Sequence, residues 1–308
     1  MKLKPFRPYL MAGLALLSLA SSPLVLADSA AQTGAKPAAS APKDANVQAT
    51  QPGVQKEAEK QTAEQRHKII QEAVTAVQET AKALQALDKG DSEAALKSLE
   101  IATGKLELIL ARDPKLAFAP VDVSMVTLDL YADLETIKKA RKDAEEALED
   151  GEVQKARALL ANLASEIVIS VTKLPLATYP EAIKAVTPLI DAGKIDEAKH
   201  ALQAALNTLV VEDIVIPLPP LRASLMLKAA DKLAQKKDRS EDENKKLKEL
   251  LDAAENQIRM AEALGYGKKK DYKPLYEEME KIREKTSGGK SGSGFFDEIL
   301  RKLGEITD

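Results

Sequence analysis

Apolar side chains recur at alternating steps of three and four residues along most of the chain, which is the spacing of one face of an α-helix. Each stripe alternates large residues with alanine, and alanine lets neighbouring helices approach closely. We therefore expect an all-α fold, an antiparallel multi-helix bundle. The five stripes are Ile70, Val74, Val77, Ala81 and Leu84; Ala95, Leu99, Ala102, Leu106 and Ile109; Val153, Ala156, Leu160, Leu163 and Ile167; Ile195, Ala198, Leu202, Ala205 and Leu209; and Leu247, Leu251, Ala254, Ile258 and Ala261.

Capping residues indicate where several of these helices begin and end. Thr62, with Gln65 three residues later, predicts the start of the first helix. Pro114 ends the second helix because proline cannot donate a backbone hydrogen bond. Ser240 predicts the start of the last of the five helices, and Gly265 predicts its end.

Three short stretches share one pattern around a glycine: "ALDKGDSEAALKSL", "ALEDGEVQKARALL" and "LIDAGKIDEAKHAL". They align on Gly90, Gly151 and Gly193, with an alanine five residues after each glycine. The pattern is typical of a helix that ends on a left-handed glycine and is followed at once by a new helix. We expect three helix-glycine-helix corners, in which the alanines pack closely.

Two stretches, residues 117–130 and 210–220, are rich in β-branched residues and proline and keep no helical step. Each is expected to be a short extended segment that crosses the bundle. Whether the two segments pair with each other as a ribbon stays open.

The two ends of the chain differ from its middle in composition. Lys2, Lys4 and Arg7 precede a short apolar run, and a small-residue site ends at Ala27, so we expect a signal peptide cleaved after Ala27. The predicted organisation is then a disordered leader at 28–60, a helical domain at 61–285, a flexible linker at 286–294 and an amphipathic tail helix at 295–308.

The tail should be a short helix with one apolar face, and a helix of this length is not stable on its own in water. We expect this face to contact an oligomer partner or another protein through Phe295, Phe296, Ile299, Leu300 and Leu303.

Charge and cysteine content limit the location and the partners. The formal net charge is −3, and removal of three basic residues with the signal peptide makes it −6, which argues against nucleic acid as a partner. The chain has no cysteine, which excludes disulfides and thiol chemistry. Export of a chain without disulfides favours the periplasm as its location. We expect no integral membrane segment to remain after the signal peptide is cleaved.

Few side chains suggest catalysis. His67 and His200 lie on different helices, so neither a metal site nor a cofactor is expected; we interpret His67 as packed near Glu64 and His200 as solvated. The sequence around Gly289 lacks the earlier glycine and the strand of a phosphate loop. We therefore expect a protein that is not an enzyme.

"LPLATYPEAI", "LIDAGKIDEAKHAL", "VVEDIVIPLPP" and "LRASLMLKAA" together resemble the YfdX family of exported bacterial proteins, over roughly Gln65 to Gly265. The chain is most similar to members carried on transmissible heat-resistance loci. The resemblance implies a mainly helical periplasmic protein that is linked to tolerance of heat and acid and is often oligomeric.

Two functions follow as hypotheses. The first is a chaperone-like homo-oligomer that binds unfolded clients or partner stress proteins through apolar surface at the extended crossings or the tail. The alternative is a periplasmic module that binds a small ligand or a peptidoglycan fragment, in a pocket lined by Tyr131, Tyr179 and the Pro217–Pro220 segment.

Overall fold

The computed structural model describes residues 44–307, and the predicted signal peptide and the first part of the predicted leader lie outside them. Most of the described residues are helical. The helices are α1 (Ala45–Arg66), α2 (Gln71–Asp88), α3 (Ser92–Arg112), α4 (Leu134–Glu149), α5 (Val153–Leu160), α6 (Tyr179–Lys184), α7 (Thr187–Asp191), α8 (Ile195–Leu206), α9 (Leu218–Gln235), α10 (Glu241–Leu264), α11 (Lys269–Thr286) and α12 (Asp297–Thr307).

A three-stranded antiparallel sheet lies among these helices, so the all-α prediction was incomplete. Its strands are β1 (Phe118–Leu128), β2 (Glu166–Pro175) and β3 (Val210–Pro217), in the order β1-β2-β3. The two predicted extended segments supply β1 and β3. They do not pair with each other as a ribbon, because β2 lies between them and pairs with both.

The sequence pattern around β2 was misread as helix. Of the predicted stripe, only Ala156 is buried on α5, whereas Val153 and Leu160 at the two ends of that helix are exposed. Ile167 lies on β2. From Ile167 the buried positions alternate with partly exposed ones, which is the period of a strand with one covered face.

Helix α1 replaces part of the predicted disordered leader. It begins at Ala45 and continues through Thr62, which is buried inside the helix and does not cap one. The hydroxyl of Thr62 donates to Sδ of Met125 on β1, at 3.3 Å. Tertiary packing stabilises this polar helix, because Val54 and Ala58 cover the inner face of the sheet. The segment is therefore helical although its own sequence gives only a weak helical pattern.

The three glycine corners share one backbone geometry. Gly90, Gly151 and Gly193 have φ of +77°, +76° and +72°, and each lies between two helices. The residue after each glycine donates its N–H to a carbonyl five residues earlier, at 2.8 to 2.9 Å, which completes a Schellman motif. The alanines five residues after the glycines, Ala95, Ala156 and Ala198, are fully buried.

The buried residues form two large cores and two smaller clusters. The first core joins α2 and α3 to α6, α7 and α8, and the second joins α9, α10, α11 and α12. A smaller cluster places α1 and the start of α9 against the inner face of the sheet. α1 and α9 come close at Gly53, where an added Cβ would lie 2.8 Å from a methyl carbon of Leu225, so a larger residue would require that side chain to move.

Candidate functional site

The tail residues that were expected to contact a partner lie in the chain's own second core. Phe296, Ile299 and Leu303 are buried there, and Phe295 and Leu300 pack at its margin. The amphipathic face therefore docks on this chain's α9 and α11. A partner contact through the three buried side chains would require α12 to leave the body.

The segment before the tail, which the sequence predicts to be a flexible linker, hydrogen-bonds to the rest of the chain. Ser287–Gly289 form a short 3₁₀ turn, and the N–H of Gly292 donates to the carbonyl oxygen of Ala234 at 3.1 Å. The buried Arg239 donates to the carbonyl oxygens of Thr286 and Lys290, at 3.3 and 2.7 Å. Arg239 thus joins this segment to the end of α9.

The predicted ligand pocket is not formed by the residues that were expected to line it. Tyr179 is fully buried in the first core, where burial raises the pKa of its phenol to about 12. The Pro217–Pro220 segment is buried at the start of α9. Tyr131, by contrast, is exposed and lines a different pocket.

That different pocket has a volume of about 620 Å³ and lies between α1, the loop after β1, α9 and α10. Its lining is unusually rich in carboxylate and amide side chains. The lining residues are Asp44, Val47, Gln48, Gln51, Thr127, Asp129, Leu130, Tyr131, Ala132, Asp133, Arg222, Asn256, Gln257 and Met260.

An ion pair lies in the floor of this pocket. The guanidinium of Arg222 donates to both carboxylate oxygens of Asp129, at 2.9 and 2.7 Å. Such a two-pronged bond fixes both side chains, since the guanidinium fork matches the carboxylate geometry. The Asp129 carboxylate also accepts a hydrogen bond from the Tyr131 hydroxyl.

The ion pair sets the charge state of the floor. Burial raises the pKa of the Asp129 carboxyl, but the hydrogen bonds and charge of Arg222 outweigh burial, and Tyr131 adds a further hydrogen bond. The pKa of Asp129 therefore lies below its ordinary value, and the carboxylate is charged at neutral pH.

Two polar atoms in the side chains of this floor have no hydrogen-bond partner within residues 44–307. They are Nε of Arg222, a donor, and Oε1 of Gln257, an acceptor. Both residues are only 3% exposed. An unpaired buried polar group costs about 1–3 kcal/mol, so each atom calls for an explanation.

Sequence reasoning missed Asp129, Arg222 and Gln257. One signal was present: Arg222 and Asp129 each interrupt a run of apolar residues, and a charge in such a run is buried only when it is paired. Their pairing could not be read from the sequence, because 93 residues separate them.

The outer face of the sheet is a second candidate surface. Val126, Val168 and Val215 form one row across the three strands. Val126 is 57% exposed and Val215 is 40% exposed, and Leu128 and Val211 on the same face are exposed as well. Since α1 and α9 cover the opposite face, this apolar surface is open to solvent.

The two histidines are both exposed. For His67 this differs from the expected packing, because it follows the last residue of α1 and does not lie on an apolar face. Within residues 44–307, no three His, Asp or Glu side chains are grouped so that they could hold a metal ion. In the same part of the chain, no helix has the length and hydropathy to cross a membrane.

Comparison with known proteins finds a protein family that matches the middle of the chain. Residues 76–215 match the family model described as YfdX protein. This part of the chain belongs to the YfdX family. A solved structure of YfdX from Salmonella Typhi is 17% identical over 49% of this chain and 93% of that chain, with a TM-score of 0.34. No curated protein matches the chain.

We call residues 76–215 the YfdX region; it begins within α2 and ends within β3. It is shorter than the span from Gln65 to Gly265 over which the sequence resembles the family. It contains the three glycine corners and most of the sheet. Asp129 lies within the YfdX region, whereas Arg222 and Gln257 lie outside it. The pocket is thus built where the YfdX region meets the flanking helices.

Proposed function

We propose that the protein is a non-enzymatic, chaperone-like stress-tolerance protein that holds unfolded clients or partner proteins on the outer face of its sheet. The observation that carries the proposal is the row of Val126, Val168 and Val215, in which the two outer valines are exposed and Val168 is half-buried. Leu128 and Val211 add further exposed apolar side chains to the same face. Contiguous apolar surface of this kind on a folded protein is typical of a binding site for another polypeptide.

The edges of the sheet support the same function. In the part of the chain that the structure describes, β1 and β3 are the outer strands, and neither pairs with a further strand on its other side. Unpaired backbone groups at such an edge can hydrogen-bond to an extended segment of another chain. An unfolded client offers extended backbone together with apolar side chains, and both requirements are met on this surface.

Polar groups on the outer face favour reversible binding. Asp122 and Asp213 lie on the same face as the valines, on the two outer strands, and Ser170 donates to Asp213 at 2.6 Å. Charges among apolar residues reduce unwanted edge-to-edge association. We therefore expect weak, repeated contacts with many clients.

The proposal includes location and assembly. Signal-peptide cleavage after Ala27 would place the protein in the periplasm, where a chain without cysteine needs no oxidative folding. The protein would act there in tolerance of heat and acid, as a homo-oligomer. Cell fractionation and light scattering of the purified mature chain test these two points.

The client-binding function is tested with a matched pair of variants. Val126→Thr removes apolar surface from the outer face but keeps the β-branched shape, and Val153→Thr makes the same change at the start of α5, where Val153 is 56% exposed. Each should change stability by no more than about 0.5 kcal/mol. Heated citrate synthase is the client, and light scattering reports its aggregation.

The wild-type protein and Val153→Thr should delay aggregation, and Val126→Thr should delay it less. No delay by the wild type, or equal protection by both variants, would contradict client binding on the outer face.

A further inference from the structure

The two unpaired atoms beneath the pocket restrict what it can bind. Arg222 Nε can only donate a hydrogen bond, and Gln257 Oε1 can only accept one. An anion could pair with the first but not with the second, and an ammonium group could pair with the second but not with the first. A hydroxyl group both donates and accepts, so it alone among these groups serves both atoms.

The charges of the lining agree with a neutral ligand. Three carboxylates (Asp44, Asp129 and Asp133) and one guanidinium (Arg222) give a formal sum of −2, which disfavours an anion. The carboxylates also have partners already: Asp129 binds Arg222, and Asp44 and Asp133 accept backbone N–H groups as the caps of α1 and α4, at 2.8 and 2.7 Å. A cation would therefore compete with existing bonds.

Gln257 lines the pocket and is held there by fewer hydrogen bonds than Arg222. Its side-chain amide makes one weak contact, from Nε2 to Sδ of Met260 at 3.5 Å. Sulfur is a poor acceptor, so a reorientation of the amide on binding a ligand hydroxyl would lose little bonding. Arg222, in contrast, is fixed by its two bonds to Asp129.

The rim offers the other features of a sugar site. Gln48, Gln51 and Asn256 are exposed there, and their planar amides each donate and accept hydrogen bonds. The exposed ring of Tyr131 provides an apolar surface for the C–H face of a sugar ring. A volume of about 620 Å³ is within the range of small-ligand sites.

We propose that this pocket binds a short neutral saccharide. The proposal replaces the pocket expected from Tyr179 and the Pro217–Pro220 segment and is independent of client binding on the sheet. The hydroxyl groups of the sugar would pair with Gln257 and Arg222, and one sugar ring would stack on Tyr131.

The test compares two probes with the same skeleton. N,N′-diacetylchitobiose is neutral, and its deacetylated form carries ammonium groups at pH 6. Isothermal titration of the full mature chain should detect the neutral probe and detect the cationic one less or not at all. Failure of N,N′-diacetylchitobiose, cellobiose and maltose to bind at millimolar concentration would overturn the proposal, and so would a preference for the cationic probe.

Two variants identify the site. Gln257→Leu removes the unpaired acceptor and should weaken binding about tenfold, and Tyr131→Ala should weaken it about as much. Gln203→Leu, at an exposed position on α8, is the matched control and should bind as the wild type does.

Folding provides a second readout. Because Gln257→Leu also removes a buried unpaired group, its thermal midpoint should be equal to or higher than that of the wild type while binding falls. Unchanged binding in both site variants would overturn the assignment, whatever the client-binding assay shows.

Discussion

Substitution Asp129→Asn removes one charge from the ion pair in the pocket floor and leaves the shape of the side chain nearly unchanged. The Arg222 side chain is 4% exposed and that of Asp129 is 15% exposed, so the guanidinium has little access to water once its partner is neutral. Breaking a buried pair by removing one partner costs about 3–5 kcal/mol. Asparagine can still accept one hydrogen bond, so we expect a loss of about 3 kcal/mol.

The reverse substitution, Arg222→Met, should cost less, about 2 kcal/mol, because the more exposed Asp129 can be partly hydrated. The double variant should lose about 3 kcal/mol, which leaves a coupling of about 2 kcal/mol between the two positions. Urea unfolding followed by far-ultraviolet circular dichroism measures all four stabilities, with an unchanged dependence on urea as the check for two-state behaviour.

The pair should also show a defined pH dependence. The pKa of Asp129 is lowered from its ordinary value of 3.8 in the folded state, so its contribution is complete above the unfolded pKa and is lost as pH falls through the folded one. The stability difference between wild type and Asp129→Asn should be constant from about pH 7 to 5 and shrink below about pH 4. Additive effects in the cycle, or a difference that persists unchanged at about pH 3, would refute this account.

Four further substitutions test the helices and segments around the site. Gly193→Ala should cost about 1 kcal/mol because its φ is +72°, whereas Gly104→Ala, inside α3 with open space around it, should stabilise by about 0.5–1 kcal/mol; equal urea midpoints would contradict the left-handed corner. Phe296→Ala should cost about 3–5 kcal/mol, and a near-neutral result would show that α12 is not docked in solution. Arg239→Ala should make residues 286–294 the first site of limited proteolysis, and a cleavage pattern like that of the wild type would show that Arg239 does not hold this segment against α9.

The elements that sequence could predict are those whose pattern is local. In α3 every residue of the predicted stripe, from Ala95 to Ile109, is buried. In α10 the capping box at Ser240 and the left-handed Gly265 lie where the sequence placed them. These signals depend on side chains close together in the sequence, and here the tertiary packing agrees with them. The equally local signal at Thr62 failed, because α1 packs on the sheet and continues through that residue.

The elements that sequence could not predict depend on distant partners. β2 is set by pairing with β1 and β3, about 40 residues away on either side, and its apolar residues also fit the end of a helical stripe. α1 contains Pro52 and few apolar residues, and it is helical because the sheet and α9 cover it. In both cases tertiary packing decided between local alternatives that were close in free energy.

The pocket depends on distant partners as well, since its residues come from separate parts of the chain. Its position determines which related proteins should share its function. Asp129 comes from the YfdX region, whereas Arg222 and Gln257 come from α9 and α10 outside that region. A protein that shares only the YfdX region would retain Asp129 but would lack its partner Arg222 and both unpaired atoms. Sugar binding should therefore follow the presence of α9 and α10, whereas client binding on the outer face of the sheet should follow the YfdX region itself.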